Sequence, residues 1–303
     1  MNQIFIILCP LFALILLGFI LKRNAMFSTL FWQGAEKLNY FLLFPALLIN
    51  SLATASLDNP QLSRLVWAIL TVISIGYVIL IFLRYLFQWP TQRFGVYVQG
   101  ILRFNTYLGL AITIDIFGTH GIAVASLILT ILVPLCNAIS ILALTPNKKA
   151  LSIKQFVMVI IKNPLIIACF IGISFNLTKI GLPYGSGQFL KILASASLPL
   201  GLICIGASLQ PSTLRSDKNS IIINSLSRLL LMPLIAGIIG FLFHLNILEL
   251  NLLILFFAIP TAPTAYILTR QLNGDSQLMS AIITLQTITA VITLPIILSL
   301  ELN

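Results

Sequence analysis

The stretch Phe256-Phe257-Ala258-Ile259-Pro260-Thr261-Ala262-Pro263-Thr264-Ala265-Tyr266-Ile267-Leu268-Thr269-Arg270 decides how this chain folds. It is apolar enough for a bilayer, yet it holds two prolines three residues apart. Proline has no backbone N–H, and its ring collides with the carbonyl four residues earlier. The carbonyls of Phe256 and Ile259 therefore lose their helical donors. In hydrocarbon such groups persist only where protein or a polar cavity satisfies them. A helix interrupted in mid-membrane, with Thr261, Thr264 and Tyr266 at the interruption, has the form of a transporter binding site.

The rest of the composition fits a bilayer. Of 303 residues, 59% are hydrophobic and 8% are charged, against about 25% charged in soluble domains. No polar half stands apart, so residues 1-303 read as a single membrane domain. The formal net charge is +10, but the basic residues are scattered singly between apolar runs. They form no basic face for nucleic acid, and membrane topology explains them better. Cys9, Cys136, Cys169 and Cys204 all lie in apolar runs without a CxxC pair, as small buried hydrophobes do.

About 20 apolar residues cross the hydrocarbon core as a helix. Ten such stretches lie at roughly 3–21, 34–54, 63–86, 96–117, 120–143, 155–177, 188–209, 219–243, 248–270 and 276–299. The first basic residues, Lys22 and Arg23, follow the first apolar run, the wrong order for a cleaved signal peptide. Placing the N-terminus outside puts Lys22, Arg23, Lys37, Arg84, Arg93, Lys148, Lys149, Lys154, Lys162, Arg215, Lys218 and Arg270 in the cytoplasm. Arg64, Lys179 and Lys191 remain outside. That bias predicts a multi-pass protein of the cell inner membrane with both termini periplasmic. Arg103 and Arg228 are expected inside helices, nearer their cytoplasmic ends.

The halves repeat. Pro10, Gly18 and Pro45 recur at one common offset as Pro164, Gly172 and Pro199. Ser63-Arg64-Leu65 matches Ser227-Arg228-Leu229, and Gly76 and Gly240 follow their arginines at equal distance. Five helices per copy is odd, so the copies have opposite topology. The expected architecture is all-α: a 5+5 inverted repeat of 1-144 and 155-303 joined by a cytoplasmic linker, 145-154. Transporters of this kind bind substrate where discontinuous helices of the two halves meet. The partner of the ninth helix is then the fourth, with the weakly helical patch Asn105, Thr106 and Gly109.

Several motifs resemble the auxin efflux carrier family. They are Pro260-Thr261-Ala262-Pro263 followed by Arg270-Gln271-Leu272-Asn273-Gly274-Asp275, Asn105-Thr106-Tyr107-Leu108-Gly109-Leu110, Lys162-Asn163-Pro164, and Pro199-Leu200-Gly201-Leu202 followed by Gly206-Ala207-Ser208-Leu209. The resemblance spans essentially the whole chain and is nearest to bacterial members, which lack a long central loop. It implies ten helices in a broken-helix fold similar to bile-acid symporters and sodium/proton antiporters, with a crossover of helices 4 and 9. It also implies a scaffold of helices one, two, six and seven, a mobile unit of the others, and organic-anion substrates. Plant members carry a proline in the fourth helix a few residues after the asparagine, near the position of Ala111 here.

Asn105, Thr106, Tyr107, Pro260, Thr261, Pro263, Thr264 and Tyr266 are the expected substrate-binding residues. Asn50 and Asn137 are candidates for lining the site, and Asp115 and Arg270 for coupling or gating. Arg103 and Arg270 are otherwise expected to snorkel to headgroups. His120 and His244 stand alone and build no metal site. No P-loop is present, so a gradient or the membrane potential must drive transport. The expected function is transport of a small organic anion, with no cofactor and no catalysis. A sodium-coupled symporter is the alternative, and an intramembrane enzyme the remote one. A homodimer joined through the scaffold helices is the expected assembly.

Overall fold

The computed structural model describes residues 2–54, 62–145, 164–215 and 217–301. The linker beyond Thr145, with Lys148, Lys149 and Lys154, lies outside the described residues. So does the sixth span before Pro164, including Lys162 and Asn163.

Helices cover the described chain, and no strand occurs among the described residues. In order they are α1 (Asn2–Arg23), α2 (Thr29–Leu38), α3 (Phe44–Ala53), α4 (Leu62–Phe87), α5 (Thr91–Leu102), α6 (Thr106–Leu144) and α7 (Pro164–Leu177). There follow α8 (Ser186–Ser208), α9 (Lys218–Leu226), α10 (Met232–Leu242), α11 (Ile247–Ala258), α12 (Thr264–Gln271) and α13 (Ser276–Glu301). A π-helical turn, Asn39–Leu43, joins α2 to α3. A second, Ser227–Leu231, joins α9 to α10. α6 kinks at Gly118, whose φ of 59° is one that glycine tolerates.

Local chemistry sets the starts. The Ser28 hydroxyl accepts from the Phe31 N–H to open α2, and Asn246 with Glu249 forms a capping box for α11. Seven helices among the described residues are long and apolar enough to cross a membrane. At 12 residues α11 is too short to span; only α11 and α12 together reach across.

Burial is inverted relative to a soluble protein. Phe82, Phe170 and Phe241 are largely exposed, while Arg228, Gln99, Asn105, Asn224 and Gln286 are buried. A soluble fold keeps such polar groups outside, whereas lipid favours apolar side chains on the rim and polar groups satisfied at the centre. This is an all-helical integral membrane protein.

The helices pack in two groups. α1 packs along α8, and α3 along α7 and α8. α4, α5 and α9 to α13 pack chiefly on one another, and α6 touches both groups. Small residues allow the closest approaches. A Cβ on Gly18 would lie 1.9 Å from the Ile203 carbonyl oxygen, and one on Gly206 1.7 Å from that of Ile15. Gly172 sits in the same way against α3, where a Cβ would come 2.8 Å from that of Leu52.

Candidate functional site

Two interruptions meet at the centre. The ninth-span break runs from Ile259, with extended backbone, to Pro263. The fourth span breaks at Arg103 to Asn105, also in extended backbone (ψ 156° and 97°). It breaks without proline, and Ala111 lies inside uninterrupted helix. Asn105 starts the second half as an N-cap: its side-chain carbonyl accepts from the Leu108 N–H at 3.3 Å. The breaks bond directly, the Asn105 N–H donating to the Pro260 carbonyl at 2.8 Å. Gly109 permits the crossing, since a Cβ there would lie 2.8 Å from the Phe256 ring.

The C-terminal ends of α5 and α11 converge on one side, and freed carbonyls there need donors. The buried Arg228 guanidinium supplies three. Nε donates to the Ile259 carbonyl at 2.8 Å, Nη2 to Phe256 at 2.6 Å, and Nη1 to Ile101 at 2.9 Å. Phe256 and Ile259 are the two carbonyls that Pro260 and Pro263 deprive of donors. A fixed cation there also opposes the negative dipole ends of both half-helices. Gln286 Nε2 donates to the Gly100 carbonyl at 2.9 Å, the Thr261 hydroxyl to Gln99 at 3.0 Å, and the Cys136 thiol to Leu102 at 3.3 Å. Gln286 Oε1 accepts from the Thr261 N–H at 2.8 Å.

The N-terminal ends of α6 beyond Asn105 and of α12 face the other way, into a cavity of about 1110 Å³. It reaches from helix-end residues such as Lys22, Lys37 and Gln271 to the breaks. Lys22, Lys37, Arg103 and Arg270 line it, with Glu36 the one carboxylate among the lining residues. Helix N-termini and surplus cations both favour an anion. The Asn105 Nδ2 is buried without a hydrogen-bond partner, as is that of Asn39, which also lines the cavity. An unmade buried hydrogen bond costs about 1–3 kcal/mol, a cost that a bound acceptor would remove.

Of the sequence-derived candidates, Asn105, Thr106, Tyr107, Pro263, Thr264, Tyr266, Asn137 and Arg270 line the cavity. Pro260 and Thr261 do not line it; both are buried in the crossing beside it. Asn50 and Asp115 also lie outside the lining, and the Asp115 side chain is exposed. Two expectations are corrected. Arg103 does not snorkel: it sits in the break and donates to Thr264 Oγ1 at 3.1 Å and Gln99 Oε1 at 3.2 Å. Arg228 does not lie toward a helix end: it is 0% exposed at the crossing. Their backbones start in the spans as expected, but the freed carbonyls and hydroxyls hold the guanidiniums at the centre.

Sequence reasoning missed Asn39, Glu36, Gln99 and Gln286. Each is a polar residue within an apolar span, and that was the available signal. Among the described residues no cluster of three or more His, Cys, Asp or Glu occurs.

Comparison with known proteins gives two matches. A family profile described as membrane transport protein matches residues 143–298. An uncharacterized transporter of Methanothermobacter thermautotrophicus is 27% identical over 291 residues, covering 93% of each chain.

Proposed function

The chain belongs to the membrane transport protein family, and on that premise we propose that it carries a small organic anion by alternating access. That it is a multi-pass transmembrane transporter follows from the family and the apolar helices. The anion reading rests on one observation above others. At the crossing, both half-helix N-termini face the cavity, while Arg228 takes up the freed carbonyls behind. A carboxylate at the breaks would meet two positive dipole ends, Arg103 and the unpartnered Asn105 amide.

The packing supports a 5+5 inverted repeat. Gly18 and Gly172 occupy repeat-related positions, and each presses its helix against the second span of the opposite copy. The charge asymmetry supports periplasmic termini in an inner membrane, so that the cavity opens to the cytoplasm. The two packing groups support the division into scaffold and mobile unit that the resemblance implies.

Sodium-coupled symport is the second reading. Arg228 already provides a fixed positive charge at the converging C-termini, which favours transport driven by the anion gradient and the membrane potential. For a monoanion the potential contributes about 2.3 kcal/mol per 100 mV. Uptake of labelled mono- and dicarboxylates into proteoliposomes tests both readings. Saturable uptake of a chemically unchanged acid, unaltered when potassium replaces sodium and responsive to an imposed potential, is expected. Uptake that requires sodium would reverse the order of the two, and absence of carboxylate transport would sink the anion reading. A pH dependence that persists in Asp115→Asn would exclude Asp115 as a proton-coupling group.

A further inference from the structure

Glu36 is the one carboxylate among the residues that line the cavity. It stands half-buried on α2, one turn before the π turn that opens at Asn39. Its charge reaches Tyr107, two residues from Asn105 on α6, and Cys204 on α8. The ion pairs among the described residues are both made by Arg93, so no described cation neutralises Glu36 at contact distance. The groups that face it can be named element by element. α2 itself adds Lys37, and the π turn adds Tyr40. α8, against which α2 packs, brings Cys204. Across the cavity stand Lys22 of α1, Arg103 of the fourth-span break, Tyr107 and Cys136 of α6, and Tyr266 and Arg270 of α12. Below neutral pH the lysines, arginines, tyrosines and cysteines already hold their protons. In this set Glu36 alone has one to gain.

An ionised carboxylate beside a bound anion repels it, and a protonated one does not. By reciprocity, an anion in the cavity favours a proton on Glu36, and a proton on Glu36 favours the anion. The place of Glu36 sets what that proton can do. α2 packs on α8, whereas the breaks lie at the ends of α5 and α11, in the other packing group. An anion carried by the breaks therefore moves without Glu36. We propose that Glu36 is a pH sensor for loading from the cytoplasm. Its carboxylate takes a proton from cytoplasmic water when the anion enters and returns it to the same side once the anion has moved on. The inference rests on the organic-anion reading above and adds regulation to it. Acidification of the cytoplasm tightens loading, and the proton is not a transported ion.

Equilibrium binding to the purified full chain tests this, with benzoate, fumarate and oxalate, acids that are themselves ionised across the range used. Wild-type affinity should weaken about tenfold from about pH 5.5 to about pH 7.5. Glu36→Gln should bind at both ends of the range with the wild type's low-pH affinity. Glu36→Asp should restore the dependence, and Asp115→Asn should keep it. In weakly buffered solution a pH indicator should report proton uptake on binding by wild type and none by Glu36→Gln. In proteoliposomes with the potential clamped, an imposed pH gradient should drive no uphill uptake. A pH-independent wild-type Kd, absence of proton uptake by wild type, or a dependence that survives in Glu36→Gln overturns the inference and leaves the anion reading standing. Uphill uptake on the pH gradient that Glu36→Gln loses would show that the proton crosses with the anion, and overturns the sensor role. Failure of wild type to bind any of the acids overturns the anion reading, and the inference with it.

Discussion

At the C-terminal ends of α5 and α11, the carbonyls of Gln99, Gly100, Ile101, Leu102, Phe256 and Ile259 all have side-chain donors. On the cavity side, the Asn105 and Asn39 Nδ2 groups have no acceptor. The same two breaks create both regions. One is saturated with protein hydrogen bonds and closed; the other is left short of acceptors and opens on a cavity. Saturation holds a broken helix in a membrane. The shortfall leaves groups for a ligand to satisfy.

The sharpest way to break this comparison is Arg228→Met. It strips three buried carbonyls of their donors at about 1–3 kcal/mol each. The variant should fail to give a monodisperse peak on size exclusion in detergent; a wild-type melting temperature would show that the closed side is not what holds the breaks. Asn105→Asp should act oppositely. A carboxylate keeps the N-cap, so the ligand-free melting temperature stays close to wild type. Its charge should repel a bound anion and weaken carboxylate binding on the order of 100-fold by titration. A large fall in ligand-free stability would mean that Asn105 belongs with the structural region instead.

Gln286→Leu is an intermediate case. It removes the donor to Gly100 and the acceptor for Thr261 and should cost about 1–3 kcal/mol of stability in thermal unfolding. Anion affinity, measured on the folded fraction, should be little changed. The smallest effect is expected outside the membrane, at Asp217. Its burial opposes ionisation, but hydrogen bonds from Ser220 and the Arg93 charge hold the carboxyl below its ordinary value. A lowered folded-state pKa contributes stability above the ordinary carboxylate pKa of about 3.9 and loses it as pH falls toward the folded value. Asp217→Asn should flatten the acid limb of a melting-temperature profile below about pH 4 and leave neutral pH almost unchanged, since the ion pair is solvent-screened.

Much of the ninth-span break was legible, because proline's missing N–H identifies which carbonyls are freed. Phe256 and Ile259 could be named without coordinates. Their donor could not, because Arg228 lies on a different helix and nothing local in the chain links the two. The fourth-span break was only half legible. Asn105 is polar and weakly helical, but an N-cap and a packed amide look alike in one dimension. Arg103 reads as a snorkelling residue until the hydroxyl of Thr264 is known to lie beside it. Asn39 was legible only as a polar residue in an apolar span, because its position on the cavity wall depends on a π turn that leaves no mark in composition.

Two spans share one backbone device, the π turn. Each inserts one residue beyond α-helical need, and one residue of helix is about 100° of rotation. Asn39 opens the first and Arg228 is the second residue of the other. In both spans the side chains before the turn are thus rotated by about a quarter-circle relative to those after it. A straight helix would have to choose between presenting its apolar stripe to neighbours along its whole length and presenting a polar group at mid-height. The extra residue uncouples the two. Each rod keeps its apolar stripe while Asn39 in one and Arg228 in the other are turned into the protein.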